Sequence, residues 1–528
     1  MTDVVPDRIS GCPVGHSRSA KTTTPEYMAP LKGKPVSRRT LFKAGGALAG
    51  AIGTLSVMEE LAIVPERVAW AEDTLALPDV QFDLAPFMPP AVTIDGVAMS
   101  FPPVHTVFLT ARLATGPSRA DQTRMENALN TIEANYPFSP NGVFTHVAYS
   151  VDYFNRLPAS LVAAAMPTTI AFNGLPSGQP ALKRAVVGPS DVAPGNHVFA
   201  LRRSEFNVPV RLENNDILFT IRGDNPSFVG DVVNWLSGSN RLRGQIIASP
   251  RFDAGMTITS SRAMFVQPGL PRNIAARNAL PFASFINPAS AMWMGFDDQQ
   301  VNASSPAQDV TFVGGHGIKL TNSIAGRYFD NGSIQHLSHV LLDLRQFYVD
   351  GTPPENPGDD VREPFDERLQ YMFEAPPAVQ PDADPFTDGG GPRNLSQRAA
   401  VLPNVFRGAD YAVKSAQQFD RIGHVSALHR SGRTSDGRPI HLRIDGPGFD
   451  AMDTTTGRNT AKLQFSGFFP TSDFFALLRR NVAAVDLLQQ FNLEEEDHGL
   501  ERFITATRRQ NFLVPPRRHR SFPLIELV

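Results

Sequence analysis

Val104 to Leu113 (VHTVFLTARL) is β-branched, apolar and partly alternating, which predicts a strand. After a turn, Met125, Leu129 and Ile132 recur at helical spacing, with Ser118 placed to cap that helix. Gly142 to Phe154 predicts the next strand region, and Asp216 to Arg222 (DILFTIR) another. Asn225-Pro226 opens a helix ending near Leu236, and Leu242 to Phe252 reads as a fourth strand. The order β-α-β-β-α-β is the ferredoxin-like plan. The second half repeats this grammar. Ile334 to Leu344 predicts a strand, Ala412 to Arg421 a helix, and Lys462 to Phe469 a strand that Pro470 ends. Ser472 then caps one helix running FFALLRRNVAAVDLLQQF, and Phe503 to Val514 closes the chain as helix or strand. Residues 155–209 are rich in Pro, Ala and Gly, and 351–403 in Pro, Gly and Asp, so both read as loop, the second as a surface insertion. The expected fold class is α+β, with tandem ferredoxin-like domains over 72–330, which includes an N-terminal extension, and 331–528.

The segment before residue 72 has a different character. Ser37-Arg38-Arg39-Thr40-Leu41-Phe42-Lys43 is followed by a Gly/Ala-rich run from Ala44 to Met58, and Ala69-Trp70-Ala71 gives a small-x-small site. Residues 1–71 therefore look like a twin-arginine signal region. The apolar run is shorter than the roughly 20 residues a membrane span needs. Cleavage after Ala71, recognition by the twin-arginine translocase, and a periplasmic or extracellular location are the expectations, with no stable membrane span.

Composition narrows the chemistry. The 528 residues are 42% hydrophobic and 19% charged, enough to build a sizeable core. A net charge of −3 gives no sign of a nucleic-acid binder. The single cysteine, Cys12, rules out a disulfide scaffold, an iron–sulfur cluster and a thiolate zinc site. There is no P-loop, no G-x-G-x-x-G after a strand, no H-E-x-x-H and no G-x-S-x-G. His336 and His339 lie three apart on a predicted strand and so point to opposite faces, which excludes one shared metal. His105 and His146, in apolar strand contexts, read as structural, and Arg517, Arg518, His519 and Arg520 as a short basic tail patch.

Several stretches resemble dye-decolorizing (DyP-type) haem peroxidases. Gly332-Ser333-Ile334 followed by HLSHVLLDLRQFY is similar to the strand opening that family's second domain. Gln417 to His424, then Ser431-Gly432, is similar to its Q-E-x-x-I-G-R segment. His441-Leu442-Arg443 with Gly446-Pro447 resembles the segment that carries the proximal haem ligand. Arg502 to Pro516, Asp216 to Leu236, and Leu270 to Asn273 resemble further family segments in the same order. Gly295-Phe296-Asp297-Asp298 fits the family's G-x-x-D, with Gln299 where the family has glycine.

The resemblance implies haem b with His441 as the axial ligand to iron, Asp298 as the acid that shuttles a proton, and Arg458 as the cation beside the breaking O–O bond. Asp445 and Asp450 are candidates to orient His441, while His424 and His429 are alternative ligands and Asp297 an alternative acid. The implied activity is that of an exported peroxidase acting on hydrogen peroxide and a small organic donor. Two other readings stand beside it: a haem-free binding or structural protein on the same fold, and haem or iron handling without turnover.

Overall fold

The structure is a computed structural model that describes residues 76–349 and 410–528, with breaks at 95–96, 173, 197–198, 200, 289, 296–304, 421, 425–426, 428–429 and 431–438. The core of the described fold is one ten-stranded sheet. Its strands are β1 (His105–Leu113), β2 (Phe144–Ser150), β3 (Arg211–Leu212), β4 (Ile217–Gly223), β5 (Met256–Phe265), β6 (Ser333–Leu342), β7 (Leu442–Arg443), β8 (Gly446–Asp450), β9 (Thr460–Phe469) and β10 (Ile504–Val514). The main path runs β7-β9-β6-β10-β2-β4-β1-β5, with β8 also on β9 and the short β3 parallel to β10. Each half thus has the strand order second-third-first-fourth, which is that of a ferredoxin-like sheet. The fold is α+β, and the ferredoxin-like plan occurs twice.

Helix α1 (Arg119–Asn135) forms where the spacing places it. The Ser118 hydroxyl accepts from Asp121 N–H, and the Asp121 carboxylate accepts from Ser118 N–H, so two otherwise orphan donors are satisfied. Met125, Leu129 and Ile132 are buried against Val107, Leu109 and Ile221 of the sheet. Helix α2 (Pro226–Leu236) starts with Asn225 capping Ser227 N–H and packs on the same face. In the second half, α4 (Ser472–Ala483) stacks Phe475 on His336. Helix α3 (Leu270–Arg277), late in the first half, packs against Val340 and Leu342 of the second.

Three local expectations are corrected. The fourth strand of the first half is β5, not Leu242 to Phe252. Arg243 and Gly244 both adopt positive φ (50° and 74°), which folds 241–246 into a tight two-stranded hairpin instead. The second correction concerns the cap of α4, which is Thr471, whose hydroxyl accepts from Phe474 N–H; the Ser472 hydroxyl instead accepts from Lys183 N–H. Third, the long C-terminal helix is two helices. Ala484, at φ 44°, ends α4 and starts α5 (Val485–Phe491). Phe503 to Val514 resolves as strand β10 after a short helical turn.

The two halves of the sheet share two short ladders: the antiparallel pairs Phe512↔Ser150 and Leu513↔Tyr149, and the parallel pairs Arg508↔Arg211 and Arg509↔Leu212 that β3 makes with β10. Beyond the antiparallel ladder the Gln81 side chain takes the place of a strand: its Oε1 accepts from Val147 N–H, and its Nε2 donates to the carbonyls of Val147 and Pro515. At the far ends the sheet curls until β8 meets β5. A Cβ on Gly446 would stand 2.8 Å from Val266, and one on Gly448 3.0 Å from the Ala263 carbonyl, so only glycine permits this approach. The faces turned away from the helices therefore enclose one interior. Phe108, Leu218 and Met264 from the first half meet Leu337, Phe468 and Phe512 from the second. Phe82 closes this apolar end by stacking on Phe468, with ring centroids 4.1 Å apart. Arg517 and Arg518 hold the same segment through the Pro78 carbonyl and Asp79, so the basic tail is spent on internal pairs. No helix among the described residues is long and apolar enough to cross a membrane.

Phe82→Ala should lower unfolding free energy by about 3–5 kcal/mol, the usual cost of emptying a buried phenylalanine site; urea denaturation followed by tryptophan fluorescence measures it.

Candidate functional site

His441 is buried, next to buried Ile440, and its ring lies 6.2 Å from that of Phe469. Phe474 and Phe475 of α4 belong to the same apolar cluster as Ile440 and Phe469. Arg458 is exposed, in the turn after Gly457 that joins β8 to β9. Its N–H donates to Thr456 Oγ1 and its carbonyl accepts from Thr460 Oγ1. The register keeps the two residues apart. Leu442 pairs with Phe468 while Asp450 pairs with Thr460, so His441 lies at one end of β9 and Arg458 beyond the other. At roughly 3.3 Å per residue the strand separates them by about 30 Å. The structure does not bring them together. Asp450, considered as an orienting partner for His441, is also at the Arg458 end, where it pairs with Lys462. Asp297, Asp298 and His429 lie outside the described residues. His424 is described; burial lowers its imidazole to about 4, against the pull of Glu501.

What the fold does assemble is a charged end to the enclosed interior. Arg262 of β5 is wholly buried, and its Nη2 donates to Glu213. Arg508 of β10 donates from Nη1 to the other Glu213 oxygen at 3.1 Å and from Nε and Nη2 to Asp453 at 2.6 and 2.8 Å. Asp453 also accepts from Thr507 and Arg211. Burial alone would raise the Glu213 carboxyl, yet Arg262 and Arg508 outweigh it and hold it below its ordinary range. Burial is likewise outweighed at Asp453, chiefly by Arg508, and that carboxyl is held far down. Lys462 is buried beside Asp450; burial lowers its ammonium against the pull of that carboxylate.

His339 completes the group. Its Nδ1 lies 2.9 Å from Gln464 Oε1, and its Nε2 is 3.9 Å from Asp450, too far for a hydrogen bond. Burial, joined by Lys462 and Arg262 and opposed by Asp450, pushes the imidazole down to about 4, so it is neutral at pH 7. His339 Nε2 and Arg262 Nε and Nη1 have no hydrogen-bond partner. A buried polar atom left unpaired costs about 1–3 kcal/mol. These are therefore the places where this network can accept something more.

The other face of β6 shows the contrast. His336 Nδ1 meets Asn511 Oδ1 and its Nε2 meets Ser338 Oγ, both at 2.6 Å. Arg509 donates to Ser338 and, twice, to Asp191. Every member is buried and partnered, so this chain of bonds ties the strands together and exposes no reactive atom. His336 and His339 do point to opposite faces, as their spacing requires.

Sequence reasoning passed over Arg262, Glu213, Arg508 and Lys462. A signal was present: Ser260-x-Arg262 on one strand and Lys462-x-Gln464-x-Ser466 on another place polar groups at every second position, and in the second the residues between are Leu463 and Phe465. That is the mark of a sheet whose second face is enclosed but not greasy.

This is a tandem ferredoxin-like α+β protein with a partly ionic interior. The chain belongs to the family of unknown function DUF7405, whose model matches residues 103–178 and 199–516. No curated protein matches it. Among solved structures it is similar to a DyP-type peroxidase from Cellulomonas bogoriensis, with 12% identity, TM-score 0.43, and 79% of this chain and 90% of that chain covered. It is also similar to DyPB from Rhodococcus jostii RHA1, at 13% identity and TM-score 0.42 over 80% of this chain and 95% of that one. A dye-decolorizing peroxidase from Bacteroides thetaiotaomicron matches at 11% identity and TM-score 0.41, covering 81% and 95%.

Two outcomes follow from the geometry. Glu213→Ala leaves the wholly buried Arg262 without its carboxylate, while Arg508 keeps Asp453, and should cost about 3–5 kcal/mol, read by chemical denaturation. Acid should also weaken the fold through His105, His146 and His339, which burial lowers to about 3, 3 and 4. The unfolded imidazoles take up protons near pH 6.5 while the folded ones resist, so the unfolded state binds more protons below that value. Stability should fall from pH 6.5 towards pH 4 by up to about 1.4 kcal/mol per pH unit for each histidine. Urea midpoints measured across that range test this, and a flat profile would contradict it.

Proposed function

We propose that this chain is a haem-independent binding protein that takes a small polar ligand at the charged end of its enclosed interior. One observation carries the reading: Arg262 and His339, wholly buried in a network whose carboxylates are multiply bonded, keep polar atoms without partners. The twin-arginine motif at Ser37 to Lys43 and the small-x-small site at Ala69 to Ala71 support export through the twin-arginine translocase to the periplasm or beyond.

A second reading is haem held by His441, in keeping with the resemblance noted in the sequence. A buried imidazole beside Phe469 and the aromatic α4 is suited to an axial ligand in an apolar setting. Arg458 does not fit the other face of the same haem, being exposed about 30 Å along β9. Haem b at His441 would supply a redox centre for hydrogen peroxide and an organic donor, with neither Arg458 nor Asp450 beside it.

The two readings separate in one absorption spectrum. The full chain produced with ample haem should show no Soret band near ~400 nm, while a panel of small anions, cations and neutral polar compounds should contain at least one that raises its Tm saturably. A Soret band lost in His441→Ala would instead establish the second reading.

A further inference from the structure

The two unpartnered groups make opposite demands. Arg262 offers N–H donors at Nε and Nη1. His339 offers an acceptor. Gln464 Nε2 donates to Asp450 Oδ2, which leaves Gln464 Oε1 to accept from the Nδ1–H of His339. The neutral imidazole therefore carries its lone pair at Nε2, the atom with no partner.

Charge then selects the ligand. An anion would answer Arg262 but meet the His339 lone pair and the carboxylates of Glu213 and Asp450. A cation would answer the lone pair but meet Arg262 and Lys462. A hydroxyl answers both, since its O–H donates to Nε2 while its oxygen accepts from a guanidinium N–H. The neighbouring wall is of the same chemistry: Thr110, Thr259 and Ser260 join their hydroxyls at 2.7 and 2.8 Å, and Thr259 donates to Asn215 at 2.6 Å. We infer that the charged end of the interior binds a neutral, hydroxyl-bearing small molecule, an alcohol or short polyol, spanning Arg262 and His339. This rests on the interior-binding reading and names its ligand class.

The test uses the full chain labelled with 15N at histidine. The His339 Nε2 resonance is assigned by its loss in His339→Gln and followed during titration with glycerol, sodium chloride and ammonium chloride. Glycerol should move it saturably in the direction of a hydrogen-bonded acceptor, and neither salt should. Arg262→Lys, which keeps the charge beside Glu213 but removes the guanidinium donors, should weaken the glycerol response at least tenfold. A resonance already hydrogen-bonded in buffer and unmoved by glycerol means a water alone, and overturns the inference. A saturable response to either salt with none to glycerol overturns the ligand class while leaving the interior-binding reading intact. No response to any probe overturns both. The glycerol titration of the unsubstituted chain decides the matter even where Arg262→Lys fails to fold.

Discussion

Glu213 is the residue on which the two halves of this fold most depend. It sits just past the two-residue strand β3, between Arg262 from the last strand of the first half and Arg508 from the last strand of the second. The backbone ladders between the halves are only two residue pairs long each, one to β2 and one to β3. Burying Arg262 wholly and Glu213 and Arg508 in large part is costly, and the cost is offset because each oxygen of the carboxylate has its own guanidinium. Side chains thus carry much of the connection that strands would carry in a continuous sheet. Gln335 adds to it by donating to Thr220 of the other half while His146 meets its carbonyl oxygen.

Much of the architecture was legible in the chain. The Ser118 capping box, the 3.6-residue spacing of α1, and the Asn225-Pro226 start of α2 are local signals, and local signals survive folding. The fourth strand of the first half was not legible, for a physical reason. Its inner face carries Ser260 and Arg262, which lower its apparent hydrophobicity, whereas the Leu242 to Phe252 stretch is apolar enough to mimic a strand but contains a turn at Arg243-Gly244. An enclosed polar interior defeats a search for greasy strands. The same enclosure hid the charged end, because its members come from β5, β6, β9, β10 and the β8–β9 turn, and become neighbours only when the sheet curls.

The His441 and Arg458 pairing shows how sequence spacing can mislead. Arg458 follows His441 by 17 residues, an interval that suits two groups flanking one centre. In an antiparallel hairpin, however, neighbours are residues placed symmetrically about the turn. With Leu442 opposite Phe468 and Asp450 opposite Thr460, position 441 falls beside Phe469, and Arg458 lies in the turn itself. Seventeen residues of separation then means the length of the hairpin rather than contact across it.

The two ends of the interior are closed by different physics. At the apolar end Val80 and Phe82 fill the space between the halves, and the Gln81 amide, Arg517 and Arg518 fix that segment in place. Opening that end would expose stacked aromatic surface and break several buried hydrogen bonds together. At the charged end the covering groups are the β8–β9 turn and Arg211, which is more than half exposed although its partner Asp453 is buried. A salt bridge with one partner in water is worth little on its own. The turn that carries Arg458 is held instead through Asp453, which accepts two bonds from Arg508 and one from Thr507, so this end is closed by charge pairing where the other is closed by aromatic packing.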